Sequence, residues 1–291
     1  MEILTTLANV HAWRQRNWDP STPLVLVPTM GALHEGHLML MREAKHLAGV
    51  AGKVAVSIFV NPTQFGPNED FNRYPRELES DAAKCDSVGV DMIFAPDPGE
   101  VYAPDRSLSV LETELSKRLC GASRPGHFDG VCLVVLKLFN MVGCTHAVFG
   151  KKDYQQLAII RRMVRDLNVP VILKGSETIR EPDGLAMSSR NRYLTPEERM
   201  QAVEIRRGLL AAKDAWRKGE ASAQVLKDGF VDHLQKHAPL HQLDYIECVN
   251  KDNLAGIERA DAHALLATAV FFGKTRLIDN LELGVASSHP I

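Results

Sequence analysis

His34 and His37 lie in the stretch Pro28-Thr29-Met30-Gly31-Ala32-Leu33-His34-Glu35-Gly36-His37, directly after the apolar run 24–27. Two imidazoles at one strand end can donate hydrogen bonds to phosphate oxygens as charge develops in phosphoryl transfer. Gly31 and Gly36 permit close backbone approach to a ligand, and a helix beginning there offers free N–H groups to a phosphate. A zinc-protease reading fails, because His-Glu-Gly-His is one residue short of HExxH. One histidine alone would read as a turn cap, but the pair in this setting points to chemistry. His46, on the polar side of the following helix, does not join it.

Three further stretches carry polar groups at element boundaries. Asn61-Pro62-Thr63-Gln64-Phe65-Gly66 offers Gln64, which can both donate and accept toward hydroxyl and carboxylate groups; the alternative is an Asn-Pro surface turn. In Gly121–Phe128, Arg124 and His127 could meet an anionic substrate, or merely form a helix entry. In Phe149–Gln156, Gly150 permits backbone contact with a ligand and Lys152 supplies a point charge for phosphates. Asp153 is placed to cap the next helix, and Gln156 lies one turn in, facing the same sheet end as Gln64. The loop Glu181–Asn191 holds Ser188, Ser189 and Arg190, which can wrap phosphates and release them, or cap a linker.

The elements that must position these groups follow an α/β pattern. Short β-rich runs at 24–27, 54–60, 91–95, 147–149 and 171–173 alternate with helix-period stretches at 37–48, 76–88, 130–142 and 154–167. Strand–helix–strand alternation with near-continuous apolar strands implies a parallel sheet covered on both faces. Right-handed connections then give a doubly wound, Rossmann-like sheet. The pattern changes after Gly175. Thr195-Pro196-Glu197-Glu198 reads as a helix start, with one helix to Lys218, a second at 222–237, and strands at 245–249, 264–272 and 277–279. The expectation is a Rossmann-like domain over 1–178 and a smaller C-terminal α+β lid domain over 179–291, frayed after Leu283.

With 45% hydrophobic and 24% charged residues and a net charge of -2, the chain is globular and carries no general field for nucleic acid or membrane. Its five cysteines form no CxxC pair, which reads as free thiols in a reducing cytosol. There is no signal-peptide pattern at the start and no apolar run of the roughly 20 residues a membrane helix needs. The expected setting is cytoplasmic.

The HxGH string resembles the HIGH signature of a nucleotidyltransferase superfamily. MSSR at 187–190 resembles that superfamily's KMSKS-type loop. The longer strings PTMGALHEGH, NPTQF with RYPR, and SRPGHF are similar to the pantothenate synthetase family in particular. The resemblance implies ATP-dependent condensation of pantoate with β-alanine through a pantoyl-adenylate, a step toward coenzyme A, with Mg²⁺ on the ATP phosphates. It implies His37 as proton donor, with His34, Lys152 and Arg190 as further catalytic residues. It places ATP against Met30, Gly31, Ala32, Leu33, His34, Glu35, Gly36, His37, Gly150, Lys151, Lys152, Asp153, Ile179, Met187, Ser188, Ser189 and Arg190. It assigns Gln64 and Gln156 to pantoate, Gln64 also to β-alanine, and Asp81 to the neighbourhood of the metal. Many relatives carry an acid just before that last position, where this chain has Ser80; a solvent-facing helix position is the alternative. Lys151 departs from the usual Gly-Glu-Lys-Asp. The family also implies a homodimer.

Overall fold

In the computed structural model, which describes residues 1–67 and 69–284, the chain begins with β1 (Glu2–Leu4), α1 (Leu7–Asn17), β2 (Leu24–Thr29), α2 (Glu35–Ala48), β3 (Lys53–Ile58), α3 (Leu78–Ser87) and β4 (Met92–Phe94). It continues through α4 (Pro98–Val101), α5 (Leu119–Ser123), α6 (His127–Val142), β5 (His146–Gly150), α7 (Tyr154–Asp166) and β6 (Ile172–Ser176). Then follow α8 (Pro196–Ala202), α9 (Glu204–Arg217), α10 (Ala223–His237), β7 (His241–Asn250), β8 (Ala264–Phe272) and β9 (Thr275–Glu282).

The first six strands form one parallel sheet in the order β1-β4-β3-β2-β5-β6. Successive side chains of a strand point to opposite faces. Leu24 and Leu26 accordingly join the core beneath α1, α6 and α7, while Val25 and Val27 join the core beneath α2 and α3. That two-sided burial is why the central strands read as unbroken apolar runs. The doubly wound architecture expected from the sequence is present, with strand order reversing between β2 and β5. Ligands bind at such a switch point, beyond the carboxyl ends of the strands.

The last three strands form an antiparallel sheet in the order β7-β8-β9. Its central strand is also two-sided. Ala264, Leu266, Val270 and Phe272 pack with α9 and α10, whereas Leu265 and Ala267 enter the core of the parallel sheet. The small sheet is therefore a wall shared by two cores.

Some elements differ from expectation. β1 and α1 had not been foreseen; α1 buries only Val10 and Trp13, too few to imprint a period. The single helix expected up to Lys218 is two, α8 and α9, separated at Val203. Its start is as read: Thr195 accepts from the Glu198 N–H at 3.3 Å and Glu198 accepts from the Thr195 N–H at 2.8 Å. The frayed tail expected after Leu283 falls on residues 285–291, outside those described.

Gly130 shows how tightly the layers fix the site. A Cβ at Gly130 in α6 would collide with the carbonyl of Thr63, in the 3₁₀ turn Pro62–Gln64. Gly130→Ala should therefore destabilise the protein by roughly 1–3 kcal/mol, the usual range for overpacking. Urea denaturation checks this; an unchanged midpoint would mean the turn is free to move.

Candidate active site

The loop leaving β2 is bent by backbone at positive φ, 79° at Gly31 and 51° at Ala32. A non-glycine residue holds that conformation only under external constraint. The constraint is Asp81 in α3, fully buried, whose two oxygens accept the N–H groups of Ala32 and Leu33 at 2.8 Å each. Lys84 lies 3.7 Å from the same carboxylate and donates to the Leu33 carbonyl at 2.9 Å. Asp81 is thus not on a solvent-facing helix position.

The two histidines share one arrangement. His34 caps α2, its Nδ1 accepting from the Gly36 N–H at 3.2 Å, and His37 Nδ1 accepts from the His34 N–H at 3.3 Å. With Nδ1 an acceptor on each ring, the proton sits on Nε2, leaving two Nε2–H donors. The ring centroids are 4.1 Å apart. Burial, then the charge of Lys152, pushes the His34 pKa down to about 4; burial, then His34 and Lys152, holds His37 well below the ordinary histidine value. Both are neutral at pH 7. Gly36 has a use beyond ligand approach: a Cβ there would lie 2.8 Å from the His34 ring.

Gln64 is oriented by Asn61, which is 1% exposed. Asn61 Nδ2 donates to Gln64 Oε1 at 3.0 Å and to the Gly130 carbonyl at 3.2 Å, while its Oδ1 accepts from Tyr102 Oη at 2.7 Å and Thr63 Oγ1 at 2.9 Å. Of the adjacent glutamines, Gln155 is buried and donates to the carbonyls of Leu115 and Arg118, whereas Gln156 faces Gln64 across a chamber. That chamber, about 220 Å³, is lined by Met30, His34, Gly36, His37, Gln64, Gly150, Lys152, Asp153, Gln156, Ile179, Met187, Ser188, Ser189 and Arg190. Its apolar wall comes from Phe59, Val131, Val134 and Leu138. It adjoins a cleft of about 840 Å³ that reaches β9 and shares Lys152, Asp153, Gln156, Ser188 and Arg190 with it.

Several expected residues stand apart. Gly31, Ala32 and Leu33 form the bent loop rather than the chamber lining, Glu35 pairs with Arg42, and Asp81 lies beneath the loop. Lys151 donates to Glu177 at 2.5 Å and Glu282 at 3.1 Å. Burial lowers its pKa, but these carboxylates outweigh that and hold it above the ordinary lysine value. Asp153 occupies the N-cap position of α7 but makes no capping bond, because a 3₁₀ turn, Lys151–Asp153, leads into the helix; its carboxylate lies 3.8 Å from Lys152.

Two cations that line the larger cleft are paired to one loop. Arg190 donates to Asp70 at 3.0 and 2.9 Å, and Arg124 to Glu69 at 2.6 and 2.5 Å. His127 Nδ1 donates to the Gln64 carbonyl at 2.8 Å, which leaves Nε2 to accept from Arg124 at 3.0 Å. Burial and the neighbouring Arg124 push its pKa down to about 4. Sequence reasoning missed Asn61, Glu69 and Asp70 as site residues. Asn61 carried only a turn signal, and the two acids sit within a polar loop whose partners are distant in sequence.

The chamber brings together two imidazoles, an ammonium group, a guanidinium group and two carboxamides. The family model for pantoate-beta-alanine ligase matches residues 2–282. A pantothenate synthetase of Akkermansia muciniphila is 48% identical over 97% of this chain and 100% of its own length, and one of Thermosipho africanus 52% identical over 97% and 99%. The crystal structure of pantothenate synthetase from Thermus thermophilus superposes with a TM-score of 0.91 at 43% identity, covering 97% and 99% of the two chains. That of the pantoate-beta-alanine ligase of Francisella tularensis, complexed with beta-gamma ATP and beta-alanine, gives 0.78 at 31% identity, covering 98% and 99%. From the match along nearly its whole length, this chain belongs to the pantoate–β-alanine ligase family.

Proposed function

We propose that the chain condenses pantoate with β-alanine, with cleavage of ATP, through a pantoyl-adenylate. The observation that carries this reading is the chamber itself: two Nε2–H imidazoles, Lys152 and Arg190 converge opposite Gln64 and Gln156. A pantoate carboxylate oxygen attacks the α-phosphorus, the bond from that phosphorus to the bridging oxygen breaks, and pyrophosphate leaves. The β-alanine amine then attacks the acyl carbon, a proton leaves the nitrogen, and AMP departs as the bond from the acyl carbon to its oxygen breaks. A free carboxylate resists amine attack, so adenylation supplies the leaving group; the residues contribute position and charge stabilisation.

Gln64 and Gln156 hold the pantoate hydroxyl and carboxylate groups, and Phe59, Val131, Val134 and Leu138 suit its two methyl groups. Gln64 also reaches β-alanine. His34, His37, Lys152, Ser188, Ser189 and Arg190 contact phosphates. The neutral state of His37 limits its role as proton donor: in the free enzyme Nε2–H donates a hydrogen bond, and full transfer requires the polyphosphate charge to raise its pKa first. Mg²⁺, bound with ATP, would neutralise charge on the pyrophosphate. Asp81 does not fit as its ligand, since both oxygens already accept backbone N–H groups; it anchors the loop instead. We assign residues 1–178 to substrate binding and 179–291 to a lid anchored along β8. Among the described residues no helix is long and apolar enough to cross a membrane. Five free, buried cysteines support a cytoplasmic setting. A homodimer is part of this reading.

Three outcomes are expected. With ATP, Mg²⁺ and pantoate but no β-alanine, rapid quench should show a pyrophosphate burst of one enzyme equivalent; strict dependence on β-alanine would defeat the two-step scheme. His34→Asn keeps an N-capping oxygen and removes the Nε2 donor, so adenylation should lose roughly 2.7–4 kcal/mol of transition-state stabilisation while folding stability stays nearly constant. A matching loss of stability would make His34 a structural cap. The depressed histidines also set a pH dependence. Unfolded, they titrate near 6.5; folded, His34 and His127 titrate near 4 and His37 is lowered too. As pH falls from about 6.5 toward 4, the unfolded chain takes up protons that the folded chain refuses. Stability is then lost at up to about 1.4 kcal/mol per pH unit per proton. Urea midpoints across that range should fall less steeply in His34→Asn than in the parent; parallel slopes would mean His34 is protonated in the folded state.

A further inference from the structure

Strand β9 reaches the chamber from the small antiparallel sheet. Asn280, 8% exposed, directs its Nδ2 to the carbonyl oxygens of Lys151 and Lys152, at 2.9 Å each. Beside it Asp279, also buried, receives Arg180 Nη1 at 2.7 Å and Nη2 at 2.9 Å. Arg180 lies in a hairpin closed by the Met187 N–H donating to the Ile179 carbonyl at 3.0 Å and by a bridge between Arg180 and Ala186. That hairpin leads directly into Ser188, Ser189 and Arg190. Two residues beyond Asn280, Glu282 takes Lys151 Nζ. One edge strand thus grips both the turn that carries Lys152 and the hairpin that delivers Arg190.

We propose that Asn280 is a positioning residue for adenylation: its carboxamide sets the Lys151–Asp153 turn and so the place of Lys152, while Asp279 sets the Arg190 hairpin. The proposal rests on the adenylation reading above. A carboxamide nitrogen carries two hydrogens, one for each carbonyl. Because the C=O and N–H of a trans peptide point in opposite directions, turning the Lys151 and Lys152 carbonyls toward Asn280 turns the N–H groups of Lys152 and Asp153 to the other side of the turn. Without those bonds the turn is free to rotate, and a phosphate-binding ammonium displaced by an ångström is ill placed for the transition state. The Lys151–Glu282 pair holds the same turn by charge.

Asn280→Asp separates chemistry from shape. It preserves volume, supplies no donor on an ionised carboxylate, and sets anionic oxygen against two carbonyls. Two half-reactions are read for the parent, Asn280→Asp and Asn280→Ala: pyrophosphate release from ATP, Mg²⁺ and pantoate, and aminolysis of supplied pantoyl-adenylate by β-alanine. Both variants should lose adenylation rate on the order of 10–100-fold, as for partners that act through another residue, with the KM for pantoate little changed and aminolysis much less affected. Asn280→Asp adenylating at the parent's rate overturns the proposal, as does an equal loss in both half-reactions, which marks a purely structural residue. Failure of the parent itself to release pyrophosphate from ATP and pantoate would instead defeat the reaction reading, leaving the two failures distinguishable.

Discussion

The geometry of the two imidazoles depends on one buried carboxylate. Asp81 has no solvent contact and commits both oxygens to adjacent backbone N–H groups. A carboxylate taken out of water is tolerable only when paired or hydrogen-bonded in this way, so the contact has little freedom to slip. It forces the turn at Gly31 and Ala32 and thereby fixes where α2 starts. The start of α2 places His34 as cap, and the cap fixes both imidazole tautomers. The direction of each Nε2–H is thus decided in α3, on a different helix from the histidines.

Charge is managed around the chamber in two ways. The imidazoles are kept neutral by burial and by Lys152, so they are donors without being cations. The guanidinium groups of Arg124 and Arg190 are matched by Glu69 and Asp70, on one loop. The chamber thus holds preset neutral donors inside and paired charges at its side. His127 carries the opposite tautomer from His34 and His37, because it faces the Gln64 carbonyl rather than an N–H. Three histidines of one type thus serve two hydrogen-bonding roles, assigned by the backbone group each one meets.

The sequence carried the fold well where burial is two-sided. Leu24 to Val27 and, apart from Thr268, Ala264 to Phe272 are apolar on consecutive residues, and consecutive apolar residues in a strand mean cover on both faces. It could not say that the second face of β8 belongs to another core, because periodicity reports that a side chain is buried and not by what. The loops bearing His37 and Lys152 stood out from residue type at strand ends, whereas those bearing Gln64 and Arg190 stood out only through the family resemblance, because a surface turn or a capped linker has the same residue types. The burial of Asp81 was not legible, because its surroundings in the chain are polar and the backbone groups it meets lie in a loop almost fifty residues earlier. Asn280 gave no signal at all: its partners are backbone carbonyls, which every residue possesses.

The shared wall also bears on the order of folding during synthesis. The core beneath α6 and α7 includes Val249, Leu254, Leu265 and Ala267, all of which leave the ribosome after the whole parallel sheet has emerged. Until β8 arrives, a nascent chain ending near residue 178 presents the apolar surface those side chains will cover. Exposed surface of that kind is what makes incomplete chains prone to association. The last strands are thus a closing step of folding, and a ribosome stalled before residue 264 would hold that core with part of its side still uncovered.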